Sequence, residues 1–467
     1  MYNYFNFRDF GQYVLITNDF GQYAFLTQDN FKRFVKGELS ADNECYKELS
    51  DKLFLVGNNQ DIYVNRAYEY ARLGKKYLFT GTTLFIFVVT TWCNANCVYC
   101  QAKDIDSKAG YMSVETALKA VDIALSSTAD NITIEFQGGE PLGNFEVISN
   151  VVLYAKEKAI TLNKRVEFSL VSNLSIINDN IISFIKEHNI ALSTSIDGDK
   201  QLHNCNRPLR NGSGSFDYVA NGLLKAKEAG ICVGAIQTTT RNSLAQAQPI
   251  IDTYLKYDMD MIFIRPLTPL GMASLQWKNI GYLPEEFLMF YQECINYLLY
   301  INKTGKYIAE GHASILLSKI LFGEGLNYME LRSPCGATIG QMAFYCDGKV
   351  YTCDEARMLA EMGNNMFLLG TVDDTYDKLV DTPVCKAACA SSLLECIPEC
   401  CDCVYQPYCG QCPVVNLALG GDIFPREARS YRCQIYQGIL DILFGVLYKN
   451  DPQNLQILQS WVRKELQ

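Results

Sequence analysis

At 467 residues, 49% of them hydrophobic, the chain has length enough for two or three domains and a large core. Its formal net charge of −10 argues against a general nucleic-acid binder, which carries a basic face, while a basic peptide partner stays compatible. Met1 to Phe10 has neither a basic n-region nor an apolar h-region, and the apolar run Leu84–Val89 is too short to span a bilayer, so the expectation is a cytoplasmic protein without a membrane partner.

Near the N-terminus, Tyr13–Thr17 and Tyr23–Leu26 flank Asn18-Asp-Phe-Gly21 and predict a hairpin, followed by helices over Asp29–Val35 and Tyr46–Leu55. From Leu84 to about Thr268 strand and helix alternate. Strands are predicted over Phe85–Val89, Ile132–Phe136, Val166–Val171, Leu192–Ile196, Val233–Thr238 and Met261–Arg265. Helices are predicted after the N-cap Ser113, over Glu146–Lys158, Asn180–Glu187 and Tyr218–Ala229, and after Asn242. Six strands with crossovers predict an open, partial barrel, since a closed one needs eight. Ligands of parallel α/β sheets sit at the carboxyl ends of the strands. The polar segments fall there: a cysteine loop, Gly138-Gly-Glu-Pro141, Ser172-Asn173 and Asp197-Gly198. Residues 280–330 read as helical, 335–433 as a loop-rich stretch held by bound metal or clusters, and Ile435–Leu447 and the segment from Asn454 as helices. The expected domains are an α+β module over 1–78, the barrel with its helical connection over 79–330, a cysteine-rich domain over 331–440 and C-terminal helices over 441–467.

The chain has 19 cysteines. Without a signal peptide, they read as metal or cluster ligands rather than disulfides. Cys93, Cys97 and Cys100 form C-x3-C-x2-C. A four-iron cluster takes four thiolates, so three leave one iron open to bind and activate a small molecule. Zinc would be one ligand short, because the three histidines, His188, His203 and His312, lie far along the sequence. The paired glycines of Gly138-Gly-Glu-Pro141 permit close backbone approach to a ligand, and Glu140 offers an acceptor for an ammonium group. Cys45, Cys205, Cys232 and Cys294 read as core or surface thiols, and Cys346 is open between that and a ligand role.

The cysteine loop with Tyr99 before its last thiol, followed by Gly-Gly-Glu-Pro after the second strand, resembles the radical S-adenosylmethionine (SAM) enzymes. Ser195-Ile-Asp-Gly198, Arg207-Pro208 and Gly212-Ser-Gly-Ser-Phe216 resemble their peptide- and protein-modifying branch. The resemblance covers about residues 80–270 and implies a partial (β/α)6 barrel. It also implies a 4Fe-4S cluster whose open iron is chelated by S-adenosylmethionine. By position it implies that Tyr99 contacts the adenine, that Gly138, Gly139 and Glu140 bind the methionine ammonium, that Asn173 and Ser195 hold ribose or carboxylate, and that Arg207 pairs the carboxylate. His203-Asn204 stands where relatives often have His-Asp.

Cys335-Gly336, Gly348 to Cys353, Cys400-x2-Cys403-x5-Cys409-x2-Cys412 and Cys433 look like the SPASM extension with two auxiliary 4Fe-4S clusters. The likeness assigns Cys335, Cys353 and Cys412 to one, with Cys346 its candidate fourth ligand, and Cys400, Cys403, Cys409 and Cys433 to the other. Cys385, Cys389, Cys396 and Cys401 are extra: they are spare thiols or the assignment shifts. Zinc at C-x2-C pairs is the competing reading.

The resemblance implies cleavage of S-adenosylmethionine to a 5′-deoxyadenosyl radical that takes hydrogen from a substrate carbon, with an auxiliary cluster accepting an electron. Asp354, Glu355 and Asp197 are candidate bases, and Arg265-Pro-Leu-Thr-Pro269 is placed to meet substrate or cofactor. Along its whole length the chain is similar to the maturases of the His-Xaa-Ser repeat peptide system, in Phe7-Arg8, Leu15–Leu26, Phe34-Val-Lys-Gly37, Phe79-Thr-Gly-Thr82, Phe87-Val-Val-Thr90 and Arg265–Pro269. This implies a ribosomally made precursor peptide as substrate, a side-chain crosslink of cyclophane or thioether type, a small reductant protein such as flavodoxin or ferredoxin, and a companion maturase. The N-terminal module would then read a leader peptide by strand addition. The alternatives are an anaerobic sulfatase-maturing enzyme that makes formylglycine, and a non-catalytic iron–sulfur carrier or scaffold.

Overall fold

The computed structural model describes residues 2–55, 60–101, 110–324, 331–425 and 430–463. A three-stranded antiparallel sheet opens the chain: β1 (Asn6–Asp9), β2 (Val14–Thr17) and β3 (Tyr23–Leu26), in the order β1-β2-β3. The hairpin is where the sequence placed it, and β1 is an addition. Every residue of β2 is buried, for a period-two reason. Val14 and Ile16 face a small local core with Phe34, Leu49 and Phe54, while Leu15 joins the main core. Helices Gln28–Lys36 and Tyr46–Asp51 follow as expected, and a third, Gln60–Lys75, was not anticipated.

The six expected barrel strands are β4 (Leu84–Thr90), β5 (Asn131–Gly138), β6 (Arg165–Val171), β7 (Ala191–Ser195), β8 (Val233–Thr238) and β9 (Met261–Arg265). Each pairs in parallel with the next, and helices Val114–Leu125, Phe145–Thr161, Asp179–Glu187, Phe216–Glu228 and Ala247–Lys256 fill the crossovers. Ser113 caps the first of these helices by accepting from Thr116 N, and Gly230, at φ +80°, follows the end of Phe216–Glu228. Phe85 to Thr90 of β4 is buried throughout, as a central strand between barrel interior and helix layer requires.

The sheet does not stop at six strands. Beyond β9 lies the two-residue β10 (Ala309–Glu310). At the other edge β11 (Gln341–Phe344) pairs in parallel with β4, and β12 (Lys349–Tyr351) and β13 (Leu368–Thr371) continue antiparallel. One open ten-stranded sheet therefore runs from the barrel into the cysteine-rich region, across the boundary expected near 331. That region also forms helices Asp354–Glu361, Pro383–Ala390 and Pro413–Gly420, which loop-rich composition did not announce.

Helices Pro284–Lys303 and Gly311–Phe322 occupy the segment read as helical, whose residues 325–330 lie outside the described residues. The C-terminal pair is Tyr431–Lys449 and Pro452–Val462. The first clamps the N-terminal sheet: Tyr13 stacks on Tyr448 at 3.8 Å between ring centroids, Tyr23 meets Phe444, and Arg8 pairs with Asp441 at 2.9 Å. Among the described residues no helix is long and apolar enough to cross a membrane.

Candidate active site

The cysteine loop leaves β4 and is strapped to the segment after β7. Asn96 N donates to Pro208 O (2.7 Å), Val98 N to Asn206 O (2.9 Å), and Arg210 N to Asn94 O (2.9 Å). Cys93, Cys97 and Cys100 are half-buried and close enough to act on one another. Burial and the neighbouring thiols push the Cys93 thiol up to about 12. A bound metal inverts that preference by favouring thiolate, so crowded, partly dry thiols suit a cluster better than water. Among the described residues no three His, Cys, Asp or Glu side chains converge closely enough to share one metal ion. A cube asks for something else, because each thiolate binds its own iron.

The Gly-Gly-Glu segment is welded to the same loop. Gly139 N donates to Thr90 O (2.9 Å) and Glu140 N to Trp92 O (2.6 Å). Gly138 has φ +138°, and a Cβ there would strike the Thr90 carbonyl. A Cβ on Gly139 would lie 2.5 Å from the Trp92 carbonyl carbon and 2.7 Å from Thr91 O. Both glycines are thus required by backbone contact with the cysteine loop. Glu140 is buried and faces inward: its carboxylate accepts from Ser172 Oγ (2.7 Å), Asn173 N (2.7 Å) and Leu142 N (3.2 Å). Its side chain fastens the β6 end to the loop, and burial raises its pKa despite those three bonds. Asn173 continues the lacing, donating from Nδ2 to Asn94 Oδ1 (2.9 Å) and accepting from Ser175 N. Ser195 is half-buried at the end of β7.

Tyr99, Asp197 and Arg207 come together. The Tyr99 hydroxyl donates to Asp197 Oδ2 (2.7 Å) and accepts from Arg207 Nη1 (2.7 Å), and Asp197 also accepts from Thr238 N (3.3 Å). Asp197, expected as a candidate base, is fully buried and spent on these bonds, so its place is to fix Tyr99 and Arg207. Burial raises its carboxyl against the opposing pull of Arg207. The Arg207 guanidinium is close enough to Cys97 for mutual attraction, a fixed positive charge beside the cluster site. Asn204, the departure from His-Asp, accepts from Phe216 N (2.9 Å) and so caps the helix Phe216–Glu228, a bond an aspartate makes equally well.

A cavity opens between the carboxyl end of β9 and the cysteine-rich domain. Gln101, which follows the last loop cysteine, lines it together with Arg265, His312, Glu355, Cys412 and Arg432. Arg265–Pro269 therefore does line a pocket, and Arg265 faces Glu355 across it at 3.9 Å. Asp354 is turned away and held at 2.7 Å by the buried Arg357, which also pairs with Glu361. Of the two acids beside Cys353, only Glu355 reaches the pocket. His312, absent from the sequence expectations, is buried with Nδ1 against Ile264 O (3.0 Å); a lone histidine carried no signal of this.

The remaining cysteines fall into two groups. Cys400, Cys403, Cys409 and Cys433, all expected in one set, line a single cavity with Phe7 and Arg8 of β1. Cys335, Cys353 and Cys412 are buried in one apolar cluster. Cys346, the candidate fourth ligand of that set, lies in the turn after β11 and packs against the main core and Gly110.

Residues 87–241 match the Radical SAM superfamily model. A cysteine-type anaerobic sulfatase-maturating enzyme of Clostridium novyi is 25% identical over 68% of this chain and 83% of its own length. Native anSMEcpe with bound AdoMet superposes with a TM-score of 0.68 at 21% identity, covering 81% of this chain and 99% of that one. Streptococcus suis SuiB bound to precursor peptide SuiA superposes with a TM-score of 0.57 at 15% identity, covering 92% and 98%. The matched residues begin in β4 and include the cysteine loop and the Gly-Gly-Glu segment, so the chain is an enzyme that carries a radical SAM domain, and its fold is that of the sulfatase-maturase and SuiB structures.

Proposed function

We propose that the chain is a peptide maturase that takes hydrogen from a ribosomally made precursor peptide and closes a side-chain crosslink. The observation that carries this is the pocket shared by Gln101 after the loop cysteines, Arg265 at the end of β9, and Glu355 and Cys412 of the second domain. A substrate there sits between the barrel's radical source and an auxiliary redox centre. The fold likeness to SuiB, over 92% of this chain, supports a peptide as occupant.

When bound, the loop cluster and S-adenosylmethionine supply a 5′-deoxyadenosyl radical. Cys93, Cys97 and Cys100 would hold that cluster. The backbone of Gly138 and Gly139, with Tyr99, Asn173, Ser195 and Arg207 around it, would hold the nucleoside and the methionine end. Cys400, Cys403, Cys409 and Cys433 would hold one auxiliary 4Fe-4S cluster, and Cys335, Cys353 and Cys412 would anchor another. Glu355 would accept the proton released as the crosslink forms, with Arg265, 3.9 Å away, pairing with it until substrate enters. Among the described residues the outer edges of β1 and β3 pair with no further strand, and they would offer a leader peptide main-chain hydrogen bonds. Phe7 of β1, 54% exposed, supplies an apolar contact there. Phe7→Asp should weaken precursor binding without moving the melting temperature; unchanged affinity would remove β1 from recognition.

A second reading, formylglycine formation on a sulfatase, is favoured by the likeness to the Clostridium novyi enzyme. The products separate the two. Incubation with the candidate precursor should yield a peptide two hydrogens lighter that does not react with hydrazide. A hydrazide-reactive aldehyde on a sulfatase peptide would reverse the assignment.

A further inference from the structure

We propose that Cys389 supplies the fourth thiolate of the auxiliary cluster anchored by Cys335, Cys353 and Cys412, which closes that cluster to substrate. The inference rests on the auxiliary-cluster reading above and goes beyond it in naming a ligand and a consequence.

Cys346 lies beyond β11, in the turn that Gly348 N closes on Tyr345 O (2.9 Å). Cys346 and Cys389 both pack against the main core, so what separates them is which elements they sit beside. The Cys346 sulfur sits where a Cβ on Gly110 would approach to 2.7 Å.

Helix Pro383–Ala390 comes from the other direction. Its Val384 and Ala388, one turn apart, pack into the cluster that holds Cys335, Cys353 and Cys412. Ser392 fastens its end there: Ser392 Oγ accepts from Cys335 N (2.9 Å) and lies 2.7 Å from Ala388 O and 3.2 Å from Cys389 O. Leu394 N donates to Ser333 Oγ (2.9 Å), a second stitch between the same segments. Cys389 follows Ala388 directly and is half-buried, and its thiol is close enough to feel the charge of Cys335. Cys385 stands one turn further from the stitched end.

Four thiolates leave no iron for a substrate atom, so this centre passes electrons and the peptide reacts without ligating it. The test uses the full chain carrying C93A, C97A and C100A, which removes the barrel cluster, reconstituted without oxygen. Iron content and the EPR spectrum of the dithionite-reduced protein are read with and without cyanide, which binds open iron. About eight irons per chain, for two clusters, and a spectrum indifferent to cyanide are expected. Adding Cys389→Ala should make the spectrum cyanide-sensitive, and Cys389→Ser, which retains an oxygen ligand, should shift it with iron retained. Cys346→Ala and Cys385→Ala should change neither. Cyanide sensitivity with Cys389 intact, or the shift arising from Cys346→Ala or Cys385→Ala instead, would overturn the assignment. A chain without iron in the parent background would bring down the auxiliary-cluster reading and Cys389 with it.

Discussion

Gly139→Ala isolates the contact between the Gly-Gly-Glu segment and the cysteine loop. An alanine Cβ would lie 2.5 Å from the Trp92 carbonyl carbon. Carbon atoms pack best at about 3.5 Å or more, so the two backbones must part by about 1 Å. Neither is a flexible side-chain end: Gly139 N is bonded to Thr90 O and Glu140 N to Trp92 O, and both bonds lengthen. Overpacking of this size costs about 1–3 kcal/mol of stability. The larger effect falls on chemistry, because a displacement of about 1 Å between positioned groups costs about 100-fold in rate. The assay is anaerobic 5′-deoxyadenosine formation beside thermal melting and iron content. Gly234→Ala, whose Cβ would meet Ser193 Cβ at an ordinary 3.8 Å, serves as control. Full activity in Gly139→Ala would refute the claim that close backbone approach sets the site.

Three further outcomes follow from the same geometry. Tyr99→Phe removes the hydroxyl between Asp197 and Arg207, leaving a buried carboxylate short of a donor; denaturant titration should show a loss of about 1–3 kcal/mol. Burial, aided by Arg207, holds the His203 imidazole down at about 3, against an ordinary 6.5. Between those values the unfolded chain binds the extra proton, so the contribution of neutral His203 is complete above pH 6.5 and is lost as pH falls toward 3, by about 1.4 kcal/mol per pH unit. The stability lost between pH 7 and 5 should therefore shrink by about 2 kcal/mol in His203→Gln, and an unchanged loss would refute this. Glu355→Gln should keep 5′-deoxyadenosine formation while crosslinked product falls by about 100-fold or more; equal losses of both would place Glu355 in binding rather than proton transfer.

The barrel was legible because its parallel strands are buried on both faces and read as apolar runs separated by capped helices. β4 and the helix after Ser113 show this most plainly. β10 has two residues and β12 three, too few for any periodicity, and both are strands only because a longer neighbour offers them an edge. Helix Gln60–Lys75 is anchored by single polar ties, such as Lys75 to Ser333 O and Glu395, rather than by an apolar stripe, so no pattern announced it. The loop cysteines and the glycines carried their own signal in spacing. The partners of Asp197 did not, since Tyr99 and Arg207 lie 98 and 10 residues away. Beside Cys353, the choice between Asp354 and Glu355 was decided by Arg357, a buried cation no motif marks.

The most direct test of the central claim is 5′-deoxyadenosine formation by the anaerobically reconstituted wild type, given S-adenosylmethionine, dithionite and precursor peptide, against Cys97→Ala. The account predicts product from the wild type and none above background from the variant. Formation that survives Cys97→Ala, or a wild type with its clusters loaded and peptide present that forms none, would contradict it.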